Sequence, residues 1–259
     1  MTDTHEGLRI AVLVKQVPDP SQITVNRRTR RAVIAGSPVV NTFDSYAVAE
    51  AIDLKERYGG SVTIVTAGPS TARDVILRGL GTGADRGIHM LTGDLDNRDS
   101  LALARLVSDM LRDRGFDLIL AGQTSEDLET AQVGPQVAEL LDIPHVSLVT
   151  SLEIIDREMH VRRDSEGRKQ TVTVSMPAML LVLTGRDGEQ RHPTLKGMML
   201  AKRKPIEVID VVDCSTAPPM TWTEPESPER VRTATILQDV PPQAAARQLV
   251  EWLRDKHLV

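Results

Sequence analysis

Apolar runs and helical stripes take turns along the first part of the chain, and that alternation limits the fold more than any other feature. "LRIAVLV" (8–14) is a run of β-branched and aliphatic residues closed by "PDP", the form of a strand covered on both faces. "DSYAVAEAIDLKERYGG" then has helical spacing: Ala47, Ala51, Leu54 and Tyr58 share a stripe, and Gly59-Gly60 is the stop. "SVTIVTAGPS" gives a second strand with a Gly-Pro turn, and "TARDVILRGLGTGAD" a second helix with Thr71 as N-cap. "RGIHML", "SLALARLVSDMLRDRG" and "FDLILAG" continue the series as strand, helix and strand. Strands that alternate with crossover helices build a parallel, doubly wound sheet, so the expected class is α/β with a mostly parallel sheet.

Beyond about residue 150 the pattern changes, because period-two alternation replaces crossovers. "SLEIIDREMHVRRDSEGRKQTVTVSMP" reads as strand segments with a turn near "DSEGR", and "AMLLVLTG" (178–185) as one more buried strand. "TLKGMMLAKRKPIEV" reads as a short helix ended by Pro205. Residues 213–229 are rich in Pro, Ser and Thr and read as a linker to a last helix, "PPQAAARQLVEWLRDKHLV", with Leu249, Trp252 and Leu253 on its apolar stripe. The division expected is a domain over 1–212 and a C-terminal arm over 213–259. The arm either packs on its own domain or reaches a partner subunit.

Composition excludes several classes. A net charge of −5, with no basic run interleaved with aromatics, argues against a nucleic-acid surface. The apolar run near the N-terminus is about seven residues, too short for a membrane span or a signal peptide's core, and the reading is a cytoplasmic protein without direct membrane insertion. Cys214 is the single cysteine, so no internal disulfide and no thiolate metal cluster is expected. Aromatics are few (Phe43, Tyr46, Tyr58, Phe116, Trp222, Trp252), so a flat ligand would be gripped mostly by backbone and aliphatic groups.

Motifs for common chemistries are missing. There is no G-x-S-x-G and no P-loop, and "KQVPDP" stands where a dinucleotide fingerprint would follow the first strand. None of the six histidines pairs with another at metal-ligand spacing. Three loops, "KQVPDP", "AGPS" and "GQTSEDLET", follow strands expected to lie side by side, and ligands of open α/β sheets bind outside such carboxyl ends. In the third loop Glu126, Asp127 and Glu129 could bind a divalent ion, act as paired carboxylates, or simply be solvated. The helix that follows has Thr130 as candidate N-cap, and the N–H groups of Ala131, Gln132 and Val133 could hold a phosphate. Pro135 means that this helix either starts irregularly at Gly134 or is distorted there.

Taken in order, "VLVKQVPDP", "NTFDSYAVAEAIDLKE", "VTAGPS", "LGTGADRGIHM", "DLILAGQTSEDLETAQVGPQVAELLDIP" and "RHPTLKGMMLAKRKPIEV" resemble the β subunits of electron transfer flavoproteins, the family that includes FixA-type proteins. The resemblance runs from about Arg9 to Asp210. It implies an adenine-nucleotide α-hydrolase-like fold and pairing with an α subunit that carries FAD. The complex would move electrons from flavin dehydrogenases, such as those acting on acyl-CoA, to a quinone oxidoreductase, or to ferredoxin or flavodoxin. The β pocket would hold AMP in a structural role, or a second FAD in members that bifurcate electrons from NADH.

Carried over residue by residue, the pocket falls on Leu13, on Asn41, Thr42, Phe43 and Asp44, on Ala67, and on Gly122, Gln123, Thr124, Ser125, Glu126, Asp127, Thr130, Ala131, Gln132 and Val133. The family's anchor into dehydrogenase partners falls on Leu195. No metal ligand and no catalytic residue is implied. Two departures stand out: Asn41-Thr42 replaces the family's Asn-Pro, and Thr124-Ser125-Glu126-Asp127 replaces its Gln-Ala-Ile-Asp, so that Asp127 stays aligned while Glu126 puts a charge where an aliphatic group is usual. "TAQVGPQVAE" resembles the bifurcating members more than the AMP binders, which favours FAD in this pocket. The competing readings are a nucleotide-sensing module similar to universal stress proteins and a metal-dependent hydrolase built on the acidic loop.

Overall fold

Helix and strand alternate through the first half of the molecule as the apolar pattern requires. The computed structural model describes residues 7–93, 99–155, 158–185, 188–211, 223, 226–228 and 234–259. Its strands are β1 (Leu8–Leu13), β2 (Gln16–Val17), β3 (Ile23–Val25), β4 (Ala32–Ile34), β5 (Val39–Val40), β6 (Gly60–Gly68) and β7 (Arg86–Leu91). They continue with β8 (Leu118–Gly122), β9 (His145–Ile155), β10 (Glu158–Ser165), β11 (Arg168–Ser175), β12 (Ala178–Val182) and β13 (Ile206–Asp210). The helices are α1 (Thr42–Tyr58), α2 (Arg73–Thr82), α3 (Ser100–Leu111), α4 (Val133–Leu141), α5 (Leu195–Ala201) and α6 (Pro242–Asp255).

Nine strands form one sheet in the order β11-β10-β9-β12-β8-β1-β6-β7-β13. From β9 to β13 every neighbouring pair is parallel, whereas β9, β10 and β11 form an antiparallel meander at one edge. The chain leaves β1 towards β6 and β7, then returns to place β8 on the other side of β1. The strand order therefore reverses between β1 and β8, which is the switch point of this sheet.

Side-chain alternation along the strands feeds two cores. Ile10, Val12, Ile64 and Leu120 point to α1 and α2, whose Ala47, Ala51, Leu54, Ile76 and Leu80 bury against them. Ala11, Val65, Ile88 and Ile119 point the other way, to Ala104, Val107 and Leu111 of α3 and Val137 and Ala138 of α4. Each fully buried aliphatic side chain contributes about 1.5–3 kcal/mol relative to exposure, so these two layers hold the sheet.

Several boundaries differ from the sequence reading. Thr71 does not cap α2: residues 70–72 form a short 3₁₀ turn, α2 begins at Arg73, and the Thr71 hydroxyl donates to Gln16 instead. The helix expected to be ended by Pro205 stops earlier, at Ala201, and residues 206–210, for which no element was assigned, form β13, the edge strand beside β7. The ribbons β2–β5 and β3–β4 were not legible, since neither has a buried face long enough to show alternation. Most of the expected linker lies outside the described residues, as do Cys214 and Trp222. Beyond it, α6 forms with its stripe uncovered: no residue of it is buried, and Leu249 and Trp252 are each more than half exposed.

Candidate functional site

The switch point is built around one buried carboxylate. Asp44, in the first turn of α1, accepts the Lys15 N–H at the end of β1 (2.7 Å) and the Gly122 N–H at the end of β8 (2.9 Å). It thereby ties the two strands together where they diverge. Burial pushes its carboxyl up to about 7, against the opposing pull of those two N–H bonds. The same contact explains Gly122: a Cβ there would lie 2.5 Å from the Asp44 carboxylate and 2.6 Å from Phe43. Leu13 ends β1 opposite Ala121, and Ala67 lies near the end of β6 on the other side of β1.

The loop after β8 is held from three directions. Gln123 donates its N–H to Val182 of β12 (2.8 Å) and accepts the Leu148 N–H of β9 through its side chain (2.6 Å). Asn41 reaches over from the α1 side, donating to the Thr124 carbonyl (2.9 Å) and accepting the Glu126 N–H (3.2 Å). Glu126 answers by accepting the Thr42 N–H (3.3 Å). Asp127 pairs with Lys15 (2.7 Å), and the Ser125 hydroxyl lies 3.5 Å from the same ammonium. Burial alone would raise the Asp127 carboxyl; the hydrogen bonds from Lys15 and Ser125 and the Lys15 charge outweigh it and hold the group below the usual carboxylate value. The Thr124 hydroxyl is buried without a partner among the described residues.

The acidic side chains thus have separate local tasks. Glu126 caps a helix and Asp127 is half of an ion pair, while Glu129 is exposed in a left-handed conformation (φ 51°). Among the described residues no group of three or more His, Cys, Asp or Glu is placed to hold a metal ion.

Past the acids the backbone itself is the unusual element. Glu129 and Ala131 both adopt positive φ (51° and 52°), an uncommon conformation for residues other than glycine, and one that clusters at ligand clamps. Thr130, expected as the N-cap, lies between them and caps nothing. The N-cap is Gln132, without a side-chain cap bond, and α4 runs from Val133. Pro135 falls at its third position, where an N–H would have had no helical partner anyway, so the helix is neither delayed nor broken.

The N–H groups of Thr130, Ala131, Gln132, Val133 and Gly134 have no acceptor among the described residues. Gln132 is steadied by the Ser100 hydroxyl at the start of α3 (2.9 Å), which also accepts from Gln136 (3.2 Å). Gly134 lets α4 approach the sheet, since a Cβ there would come within 2.4 Å of Leu181. A run of unpaired donors at a helix start, without basic side chains, is suited to a phosphate.

Lys15, Ser100 and Gln136 were missed by the sequence reading. Lys15 sits in one of the three loops already picked out, but nothing local says that it meets Asp127, 112 residues away. Leu195 belongs to a separate surface. It opens α5 after the Thr194 N-cap, is 83% exposed, and shares a stripe with Met199, 67% exposed. Gly197 fixes this helix on α2, because a Cβ there would meet the Gly81 carbonyl at 2.2 Å.

A concavity of about 210 Å³ opens at the opposite, amino ends of the strands, lined by Arg9, Arg86, Arg114, Phe116 and Glu207. Its charges are partly spent internally: Arg114 forks onto Glu207 (2.7 and 2.8 Å), and Arg9 lies over the Phe116 ring.

Comparison with known proteins adds an independent line. A family model described as Electron transfer flavoprotein domain matches residues 33–214. The chain is 31% identical over 255 residues to the electron transfer flavoprotein subunit beta of Bacillus subtilis, covering 96% of this chain and 98% of that protein. It is 34% identical over 209 residues to the protein FixA of Azotobacter vinelandii, covering 78% of this chain and 74% of that one. Similarity to the electron transfer flavoprotein subunit beta of Thermoanaerobacterium thermosaccharolyticum is 29% over 262 residues.

Proposed function

The chain belongs to the electron transfer flavoprotein family as a β-type subunit, and we propose that its switch-point loop holds an adenine nucleotide, FAD, beside an α subunit that carries another. The observation that carries this reading is the run of unpaired backbone donors from Thr130 to Gly134 at the start of α4. The residues fit such a ligand. The donors would take the phosphates, Gly122 and Gly134 let the strand end and α4 pack closely beside them, and the buried Thr124 hydroxyl has no partner among the described residues. A bound flavin would supply one- and two-electron transfer. The chain's own part is to bind and orient it: Asp44 fixes the two strand ends, and Asn41, Gln123 and Lys15 fix the loop.

The same reading gives the outer surfaces their tasks. The exposed Leu195–Met199 stripe docks a flavin dehydrogenase or a quinone oxidoreductase, and α6 reaches the α subunit as an arm. Among the described residues no helix is long and apolar enough to cross a membrane, and we place the complex in the cytoplasm. AMP in place of FAD would use the same donors, with bifurcation then absent.

Purifying the co-expressed heterodimer, denaturing it and counting released nucleotides tests this directly. Two FAD and no AMP is the expected result. One FAD and one AMP makes the subunit an ordinary carrier, and absence of flavin overturns the reading.

A further inference from the structure

Asn41 occupies the N-cap of α1, yet its side chain makes no cap bond to its own helix. It turns to the loop after β8 instead, bonding the Thr124 carbonyl and the Glu126 N–H. The first turn of α1 is capped from the other side, by the Glu126 carboxylate on the Thr42 N–H. This is a reciprocal cap in the sense of a capping box, but its halves come from segments 85 residues apart. We propose that Thr42 and Glu126 form a matched pair that latches the loop onto α1, making Glu126 a positioning residue for nucleotide binding. The proposal rests on the nucleotide reading given above.

Two observations support it. The first is chemical: a carboxylate at a helix amino end meets both an unpaired donor and the favourable end of the helix dipole. The second concerns the backbone. Thr42 is the first residue of α1, and Asn41 before it is extended (φ −54°, ψ 131°). Proline would suit position 42 sterically, and a residue before proline is at home in that conformation. What Thr42 supplies and proline cannot is the N–H that Glu126 takes.

The latch has a consequence for the ligand. At the amino end of α1 the first N–H, that of Thr42, is taken by the Glu126 carboxylate, which places a negative charge there, whereas no acceptor within the described residues meets the N–H groups at the amino end of α4. A phosphate is therefore repelled from the first and attracted to the second. Holding the loop to α1 keeps Glu129–Gln132 in the conformation that leaves those donors unpaired.

A mutant cycle in the co-expressed heterodimer tests the pairing, read as the rate of nucleotide release and as amide hydrogen exchange over residues 122–130. Thr42→Pro removes the donor without disturbing the helix start and strands the carboxylate. It is expected to speed release about tenfold. Glu126→Ile leaves a half-exposed N–H that water can reach, and is expected to speed release about threefold. The double variant, with neither orphan, is expected to release no faster than Thr42→Pro, and Glu126→Gln, which keeps an acceptor, to stay within about twofold of the parent. Effects that multiply in the double variant, or single variants that release at the parental rate, overturn the latch. A parental heterodimer without any nucleotide overturns the nucleotide reading alone. The latch then stands or falls on hydrogen exchange, which Thr42→Pro must accelerate over residues 122–130.

Discussion

The switch-point loop and the outer helices α5 and α6 are opposites in what they leave unsatisfied. Around the loop the polar side chains largely satisfy one another, while the backbone from Thr130 to Gly134 has donors to spare. On α5 and α6 the backbone is closed within the helices, and the unmet groups are apolar side chains: Leu195, Met199, Leu249 and Trp252. Unpaired backbone donors in fixed geometry suit a small anionic ligand, whereas exposed apolar stripes suit another protein surface. One chain thus carries two kinds of incompleteness, in separate places.

Variants that damage one region and spare the other test that separation. The largest effect is expected from Gly134→Val, because a Cβ at this position already meets Leu181 at 2.4 Å. Nucleotide content of the purified heterodimer should fall at least about tenfold, with a stability loss of about 1–3 kcal/mol in urea unfolding. Parental occupancy in this variant would remove α4 from the site.

Asp44→Ala comes next, since it orphans the Lys15 and Gly122 N–H groups at a buried position. A loss of about 2–3 kcal/mol is expected. The carboxyl also leaves a pH signature. Its folded value of about 7 is raised above the ordinary one, so between about pH 4 and 7 the folded state binds more protons than the unfolded state. Its contribution to stability therefore falls as pH rises through that window, and Asp44→Ala should flatten the slope. An unchanged slope would place the charge elsewhere.

Leu195→Glu is expected to cut electron transfer with a flavin dehydrogenase about tenfold, with nucleotide content and melting temperature near the parent's, because the side chain is 83% exposed. A fall in nucleotide content would show that the two regions are coupled.

Lys15→Ala should have the smallest effect, about 0.5–1 kcal/mol, because the Lys15–Asp127 pair is partly solvated. Asp127 is held below its ordinary value, so the pair stabilises the fold above the usual carboxylate range and this contribution is lost as pH falls through the lowered folded value. Lys15→Ala should remove that acid-side loss, as read from urea midpoints at several pH values.

The division between what was legible and what was not follows the range of the interactions. The stripe Ala47, Ala51, Leu54 and the run of β1 marked a helix and a buried strand because burial imposes a period on neighbours in sequence. The stripe of α6 was legible in the same way, yet that it stays uncovered is a property of the folded molecule. Thr71 and Thr130 read as caps by residue type, but the chain tightens into a 3₁₀ turn at one, and at the other the neighbours Glu129 and Ala131 take left-handed backbone.

By itself, the sequence determined a doubly wound sheet, the loops at its carboxyl ends, and a helix start rich in donors behind three acidic residues. Only the tertiary structure decided what those acids do. Glu126 meets Thr42 across 84 residues and Lys15 meets Asp127 across 112. A hydrogen bond between distant segments leaves no periodic trace in either, because it depends on the sheet first placing β1, α1 and β8 together.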